Sequence, residues 1–249
     1  MSYELHLRED QWERIKDSLP GKEGDRGCTG EDNRRFVEGV IWMGRNGARW
    51  RSLPPAYGKW SSVHKRFKRW SDKGVWQMIF NTLVEDADME WVMIDSTIIR
   101  AHQHCAGAKG GNQALGRSCG GFSTKIHAAC DALGNPIRFI LTSGEVSDYK
   151  QALSLLDGFK AKAVLADKGY DADYIIDAAD KMGAQAVIPP KKTRSSTRSW
   201  DKTLYKELNL IERLFAKLKH FRRVATRYDK TASSFLAFVT IAGIFLWLK

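Results

Sequence analysis

The first 86 residues place their apolar positions at helical spacing. Trp60, Val63, Phe67 and Trp70 follow one another at steps of three, four and three, so they share one face of a helix. The Gly-rich stretch Pro20–Gly30 lacks this spacing and is predicted to be a loop. The pattern predicts four helices: Glu9–Ser18, Glu31–Arg45, Lys59–Ser71 with Ser61 as a candidate N-cap, and Gly74–Glu85.

Beyond residue 87 the pattern changes to short apolar runs typical of strands. We predict strands at Trp91–Ile94, Phe122–Ala132, Pro136–Thr142, Ala163–Ala166 and Ala186–Ile188. Helices are predicted at Asp148–Phe159, Ala172–Met182 (ending at Gly183), Thr203–Phe221 and Phe235–Leu248. This order predicts an α/β fold with a mixed sheet flanked by helices. We therefore expect a helical module at 1–86 and a second domain at 87–249.

Composition narrows the class of protein. The chain has 249 residues, and 40 Lys and Arg against 29 Asp and Glu give a net charge of +11. Residues 189–230 alone carry 13 basic and 4 acidic side chains among apolar positions of helical spacing. A folded, basic chain favours a nucleic-acid partner over a merely basic or ribosome-associated enzyme. The longest apolar run, Phe235–Leu248, is too short to span a bilayer, so no membrane partner is expected.

The third predicted helix combines an apolar stripe with a cationic face. Four cationic residues lie between the apolar positions of this helix: Lys65, Arg66, Lys68 and Arg69. This arrangement suits a helix-turn-helix-like module whose recognition helix contacts DNA, and the alternative is a solvated basic helix.

Two carboxylates follow apolar strands, and a third lies on a helix. Asp95 comes after Trp91–Ile94, and Asp167 comes after Ala163–Ala166. Acids at strand ends meet at one edge of an α/β sheet, where a divalent cation offsets their repulsion. Glu212 lies seven residues after Tyr205 and seven before Lys219, at the border of the buried helix face. Oxygen ligands favour Mg²⁺ or Mn²⁺, and the alternative for Glu212 is an ordinary surface residue.

The motifs together resemble those of DDE transposases of the IS5 insertion-sequence family, over nearly the whole chain. They are Arg34–Phe36, Gly44–Trp50, Leu53–Pro55 with Trp60, Ile94–Thr97, Gly121–His127, Ala166–Asp171, Ile211–Arg213 with Phe215, and Leu218–Lys219. The resemblance implies an RNase H-like catalytic domain in which Asp95, Asp167 and Glu212 are the catalytic, metal-binding triad of two divalent ions.

The resemblance also implies an activity. Such an enzyme binds the terminal inverted repeats of its element, nicks the DNA and joins the freed 3′-OH to a target. Its partners are double-stranded DNA and further copies of the chain assembled on DNA, in the bacterial cytoplasm at the nucleoid. DNA contacts are expected from Lys168, Tyr170, Tyr205, Arg213 and Lys219, in addition to the third helix.

One position departs from the family pattern and leaves alternatives open. The family has an arginine between the positions of Tyr205 and Glu212, where this chain has Leu208. A DNA-binding regulator that has lost catalysis is one alternative, and an RNase H-like host nuclease is another. His102, His104, Cys105 and Cys119 form no zinc-binding spacing, and we expect a flexible loop. His127 is expected to be packed or hydrogen-bonded in a strand.

Overall fold

The computed structural model describes residues 4–22, 25, 32–108, 110–118, 120–194 and 198–249. Its helices are α1 (Glu9–Lys16), α2 (Asn33–Asn46), α3 (Trp60–Asp72), α4 (Val75–Val84), α5 (Ala152–Leu156), α6 (Asp173–Met182), α7 (Asn209–Lys219), α8 (Arg222–Ala225) and α9 (Ala232–Trp247). Its strands are β1 (Trp91–Ala101), β2 (Gly116–Ser118), β3 (Gly121–Cys130), β4 (Pro136–Ser143), β5 (Ala163–Leu165), β6 (Gln185–Val187) and β7 (Thr226–Arg227).

The chain divides into two compact units. The first contains Met1–Glu85, His102–Gly110 and Leu218–Lys249, and the second contains Asp86–Ala101 and Gly111–Lys217. We expected all of 87–249 in one domain, whereas residues 218–249 group with the N-terminal helices. The reason is α9, which is apolar on every side and buries most of its length against α2, α3 and α4.

The second unit is built on a mixed sheet. Strands β4, β3 and β1 pair antiparallel in that order, and β1, β5 and β6 continue the sheet with parallel pairing. Strand β2 pairs with the first residues of β3. With α5, α6 and most of α7 in the same unit, this is the mixed α/β arrangement that the sequence predicts and the RNase H-like fold that the resemblance implies.

Local sequence explains where several elements begin and end. The Asp32 carboxylate accepts the Arg35 amide at 2.9 Å and starts α2, which ends at Gly47 in the left-handed region. Asp131 closes the turn between β3 and β4 by accepting the amides of Leu133 and Asn135. The predicted end of α6 at Gly183, with φ 76°, is confirmed.

Several predicted boundaries differ from the observed ones, notably at α3, β1, α5 and α7. Helix α3 starts at Trp60 rather than being capped by Ser61. Strand β1 runs on to Ala101 because its antiparallel pairing with β3 extends to Arg100. The predicted helix at 148–159 is instead a 3-10 turn followed by the short helix α5. The predicted helix at 203–221 is instead a 3-10 turn at Leu204–Leu208 followed by α7.

The apolar α9 is 16 residues long. In the part of the chain that the structure describes, no helix is both long and apolar enough to cross a bilayer.

Candidate active site

Asp95 and Asp167 lie beside the same end of β5, Asp95 within β1 and Asp167 at the start of the 3-10 turn that follows β5. Met93 of β1 pairs with Leu165, the last residue of β5. Asp95 and Asp167 each follow these partners by two residues, so both stand just beyond the carboxyl end of β5. Neighbouring strands are about 4.8 Å apart, which brings the two backbones close at this edge of the sheet. Asp95 is therefore inside its strand, not at the end as predicted, but it lies where the parallel pairing stops.

The acids of this region influence one another electrostatically. The pKa of Asp95 is raised to about 6, first by burial and then by the negative charges of Asp167, Asp148 and Glu212, while a hydrogen bond from the Ser96 backbone opposes the shift. Glu212 and Asp167 are exposed, whereas Asp95 is half-buried. Four carboxylates from β1, α7 and two loops thus share one region of negative potential.

The fourth acid, Asp148, is a feature that the sequence analysis missed. Its carboxylate accepts hydrogen bonds from Lys125 Nζ and Ser96 Oγ, both at 2.7 Å. Lys125 is nearly buried and also donates to the Val146 carbonyl at 2.7 Å. These bonds lower the pKa of Asp148 although its burial opposes them. The signal in the sequence was a lysine inside the apolar strand β3, because a buried lysine requires an acidic partner.

The predicted phosphate-positioning residues fall into different environments. Tyr170 is wholly buried in the 3-10 turn after Asp167, so it cannot contact DNA in this conformation, and that expectation is corrected. No described residue offers its hydroxyl a hydrogen bond, and its pKa is raised by burial and then by Asp95, Asp148 and Asp167. Lys168, Arg213 and Lys219 are exposed.

Tyr205 is half-buried and remains near the acids. It lies in the 3-10 turn before α7, so the regular helical line through Tyr205, Glu212 and Lys219 that we predicted is not formed. Burial raises its pKa, followed by the charges of Asp167, Glu212 and Asp95. Leu208 ends the same turn and is buried.

On α3 of the first unit, the four predicted DNA-binding cations separate into two pairs. Lys65 and Arg69 are exposed. Arg66 is half-buried, with its guanidinium 4.2 Å from the Phe36 ring centroid and 4.8 Å from that of Trp70. Lys68 donates to Asp72 at 2.7 Å. Arg66 therefore has packing contacts within the first unit, and its predicted contact with DNA stays a prediction.

The remaining histidines and cysteines have structural contacts. His127 is buried, and its Nε2 lies 2.8 Å from Thr142 Oγ1, while burial lowers its pKa to about 4. His102 Nδ1 accepts the His104 amide, and the Cys105 thiol donates to the Arg227 carbonyl at 2.6 Å. Cys28 and Cys119 lie outside the described residues.

The acid cluster fits a divalent cation in donor type. It offers carboxylate oxygens, the ligands that Mg²⁺ and Mn²⁺ prefer, and a cation would offset the repulsion that raises the pKa of Asp95. Among the residues that the structure describes, no three His, Cys, Asp or Glu side chains stand close enough to hold an ion as they are placed. The site therefore matches a metal in chemistry, without three side chains already at ligating distance.

Comparison with known proteins identifies the family. The "Transposase DDE domain" model matches residues 86–247. The chain belongs to the DDE transposase family. A second model, "Putative transposase of IS4/5 family", matches residues 7–80 of this transposase. The predicted insertion-sequence relationship is thereby confirmed, so the protein is a DNA transposase, an enzyme class that depends on a divalent metal ion.

One of the individual relatives is itself named as a transposase. A "Putative transposase for insertion sequence element IS6501" from Brucella ovis is 44% identical over 129 residues, which cover 51% of this chain and 99% of that protein. An uncharacterized protein, y4sN, from Sinorhizobium fredii is 49% identical over 105 residues, 41% of this chain and 82% of that protein. A chain in the crystal structure of a pre-cleavage Mos1 transpososome matches this transposase. The match covers 90% of this transposase and 81% of the Mos1 transpososome chain. At 11% identity and a TM-score of 0.27, this similarity is too weak to support a conclusion.

Proposed function

We propose that this transposase binds the terminal inverted repeats of an insertion sequence, cleaves the DNA there and joins the freed 3′ end to target DNA. Asp95, Asp167 and Glu212 are the catalytic carboxylates in this proposal, and they hold two Mg²⁺ or Mn²⁺ ions. The observation that carries it is the level placement of Asp95 and Asp167 beside the end of β5. The raised pKa of Asp95, to which Asp167 and Glu212 both contribute, supports it.

The side chains of the site have different roles in the proposed reaction. Asp95, Asp167 and Glu212 would hold the divalent ions, which when bound would supply the Lewis acidity that activates an attacking water or 3′-OH and stabilises the leaving 3′ oxygen. Above about pH 6, Asp95 is ionised and offers its oxygens together with Asp167. Lys168, next to Asp167, provides a cation for the scissile phosphate, and Tyr205 borders the same acids.

DNA binding requires cations beyond the acid cluster. We assign contacts with the sugar-phosphate backbone to the exposed Lys65 and Arg69 of α3, and to Arg213 and Lys219 of α7. Bringing two element ends together requires more than one copy of the chain, so a homo-oligomer forms on DNA. Acting on a bacterial chromosome places the protein in the cytoplasm.

A cleavage assay separates this proposal from its rivals. A supercoiled plasmid that carries the element ends is incubated with the protein in Mg²⁺, and nicks are mapped. We expect nicks at the ends in Mg²⁺ and none in EDTA. Binding without nicking in either Mg²⁺ or Mn²⁺ would support the non-catalytic regulator suggested by Leu208, and degradation of RNA–DNA hybrids without preference for the ends would support a nuclease.

A further inference from the structure

A basic cavity in the first unit is separate from both α3 and the acid cluster. Its volume is about 580 Å³, and its lining includes Arg8, Arg45, His220 and Arg222. Arg45 belongs to Gly44–Trp50, one of the motifs that neither the catalytic proposal nor α3 uses. We propose that this cavity binds the sugar-phosphate backbone of duplex DNA, with Arg45 and Arg222 as its phosphate contacts. We call it the α2–α8 phosphate site.

The charges of this site are not neutralised inside the protein. Arg45, His220 and Arg222 are exposed, and no described carboxylate forms an ion pair with any of them. Arg8 pairs with Asp10 at 2.9 Å, outside the lining. The acid of the lining is Glu4, which lies 3.6 Å from His6. Two arginines therefore remain available for an anion from outside.

Arg45 is held in place without a carboxylate. Its guanidinium carbon lies 5.1 Å from the Phe245 ring centroid and 5.8 Å from that of Phe221. Aromatic rings fix the plane of a guanidinium but leave its N–H donors free to bind two phosphate oxygens. Less side-chain entropy is then lost when a phosphate binds.

The position of Arg222 is fixed by the end of α2. A Cβ atom at Gly47 would lie 3.0 Å from the Arg222 Cβ, and φ at Gly47 is 62°, so a glycine allows this close approach. Arg223, paired with Asp229 at 3.1 Å, donates to the Ala48 carbonyl at 2.8 Å. Arg223, the neighbour of Arg222, is thereby linked to the segment that follows α2.

A purely structural role explains only part of this arrangement. Arg45 in the last turn of α2 would favour the helix dipole without any ligand. That role does not account for Arg222, which belongs to a different segment and adds charge to the same cavity. A DNA phosphate accounts for both arginines, since phosphate contacts require clustered cations and the chain is a DNA transposase.

The salt dependence of DNA binding tests this site separately from catalysis, although the inference rests on the proposed binding of DNA. Fluorescence anisotropy measures the affinity for a labelled duplex of arbitrary sequence between about 50 and 200 mM salt. We expect R45Q/R222Q to reduce the slope of log K against log salt by about 1.8, that is, about 0.9 for each phosphate contact. R222Q alone, which leaves the ring contacts of Arg45 intact, should reduce it by about 0.9.

The matched control is K160Q/K181Q, which removes two exposed positive charges from the second unit. It should leave the slope near that of the wild type, and R45K/R222K should do the same. Suppose that the wild-type slope is steep and that R45Q/R222Q either leaves it unchanged or lowers it no more than K160Q/K181Q does. This result would overturn the α2–α8 phosphate site alone. A wild-type slope near zero would instead contradict the proposed DNA binding.

Discussion

Asp95 and Asp167 stand level because Met93 and Leu165, two residues before them, are register partners on parallel strands. Two segments far apart in sequence therefore present carboxylates at one sheet edge. Strand β5 ends at Leu165 while β1 continues, so the position beside Asp95 passes from a strand to a loop. The raised pKa of Asp95 reflects its burial and then the negative charges of Asp167, Asp148 and Glu212.

Replacing Asp95 by Asn should abolish cleavage and keep DNA binding. The variant loses a charged ligand of the ions, and a loss of about 4 kcal/mol of transition-state stabilisation corresponds to roughly a 10³-fold slower reaction. Plasmid nicking and fluorescence anisotropy measure the two properties separately. Asp180→Asn, an exposed position on α6, serves as the control and should cleave normally. Normal cleavage by Asp95→Asn would exclude this residue from the reaction.

The pKa of Asp95, near 6, also predicts how stability changes with pH. Between its ordinary value of 3.8 and about 6, the folded chain keeps a proton that the unfolded chain has released. The contribution of Asp95 to stability therefore falls as pH rises through this window and stays low above it. Asp95→Asn removes this contribution, so in EDTA its Tm relative to the wild type should rise between pH 4 and 6 and then stay constant. A constant difference across that range would show that Asp95 titrates normally.

The sequence pattern predicted the positions of the helices and strands better than it predicted the contacts between them. The spacing of Trp60, Val63, Phe67 and Trp70 predicted α3 to within one residue at each end, and an apolar run before each acid located Asp95 and Asp167. The bonds that join Asp148 to Lys125 and Ser96 were missed, because they depend on how β1 and β3 pair and on a turn after β4. Tyr170 was misjudged since the turn after Asp167 directs its ring inward, a property of backbone geometry rather than of residue type.

The pair of Lys125 and Asp148 should stabilise the second unit. Lys125→Met removes the donor to Asp148 and to the Val146 carbonyl, and leaves Asp148 with the Ser96 hydroxyl. Because Asp148 is partly exposed, we expect a loss of only about 1–2 kcal/mol in the free energy of unfolding. Urea unfolding measures this loss in the free energy of unfolding. Lys150→Met, at a neighbouring exposed lysine, should change it little, and equal effects of the two variants would argue against a specific role for the pair.

Replacing Leu208 by the arginine of the family pattern should destabilise the protein. Its side chain is buried in the turn before α7, so Leu208→Arg must bury or displace a guanidinium. We expect the free energy of unfolding to fall by about 2 kcal/mol or more, and strand transfer not to improve. Leu208→Met, of similar volume, should retain stability. A rise in strand transfer at unchanged stability would mean instead that an arginine here reaches the acids or the DNA, and that the leucine impairs the enzyme.

Arg66 and Arg69 should respond in opposite ways although both are arginines of α3. The Arg66 guanidinium packs on Phe36 and Trp70 and donates to Asn33, so Arg66→Gln should lower the Tm of the protein. Arg69 is exposed, so Arg69→Gln should keep the Tm and lower the salt slope of DNA binding by about 0.9. Thermal unfolding and anisotropy on the same two variants check both statements. If Arg66→Gln lowered the slope and kept the Tm, the DNA-binding face of α3 would include Arg66, and its ring contacts would have to open when DNA binds.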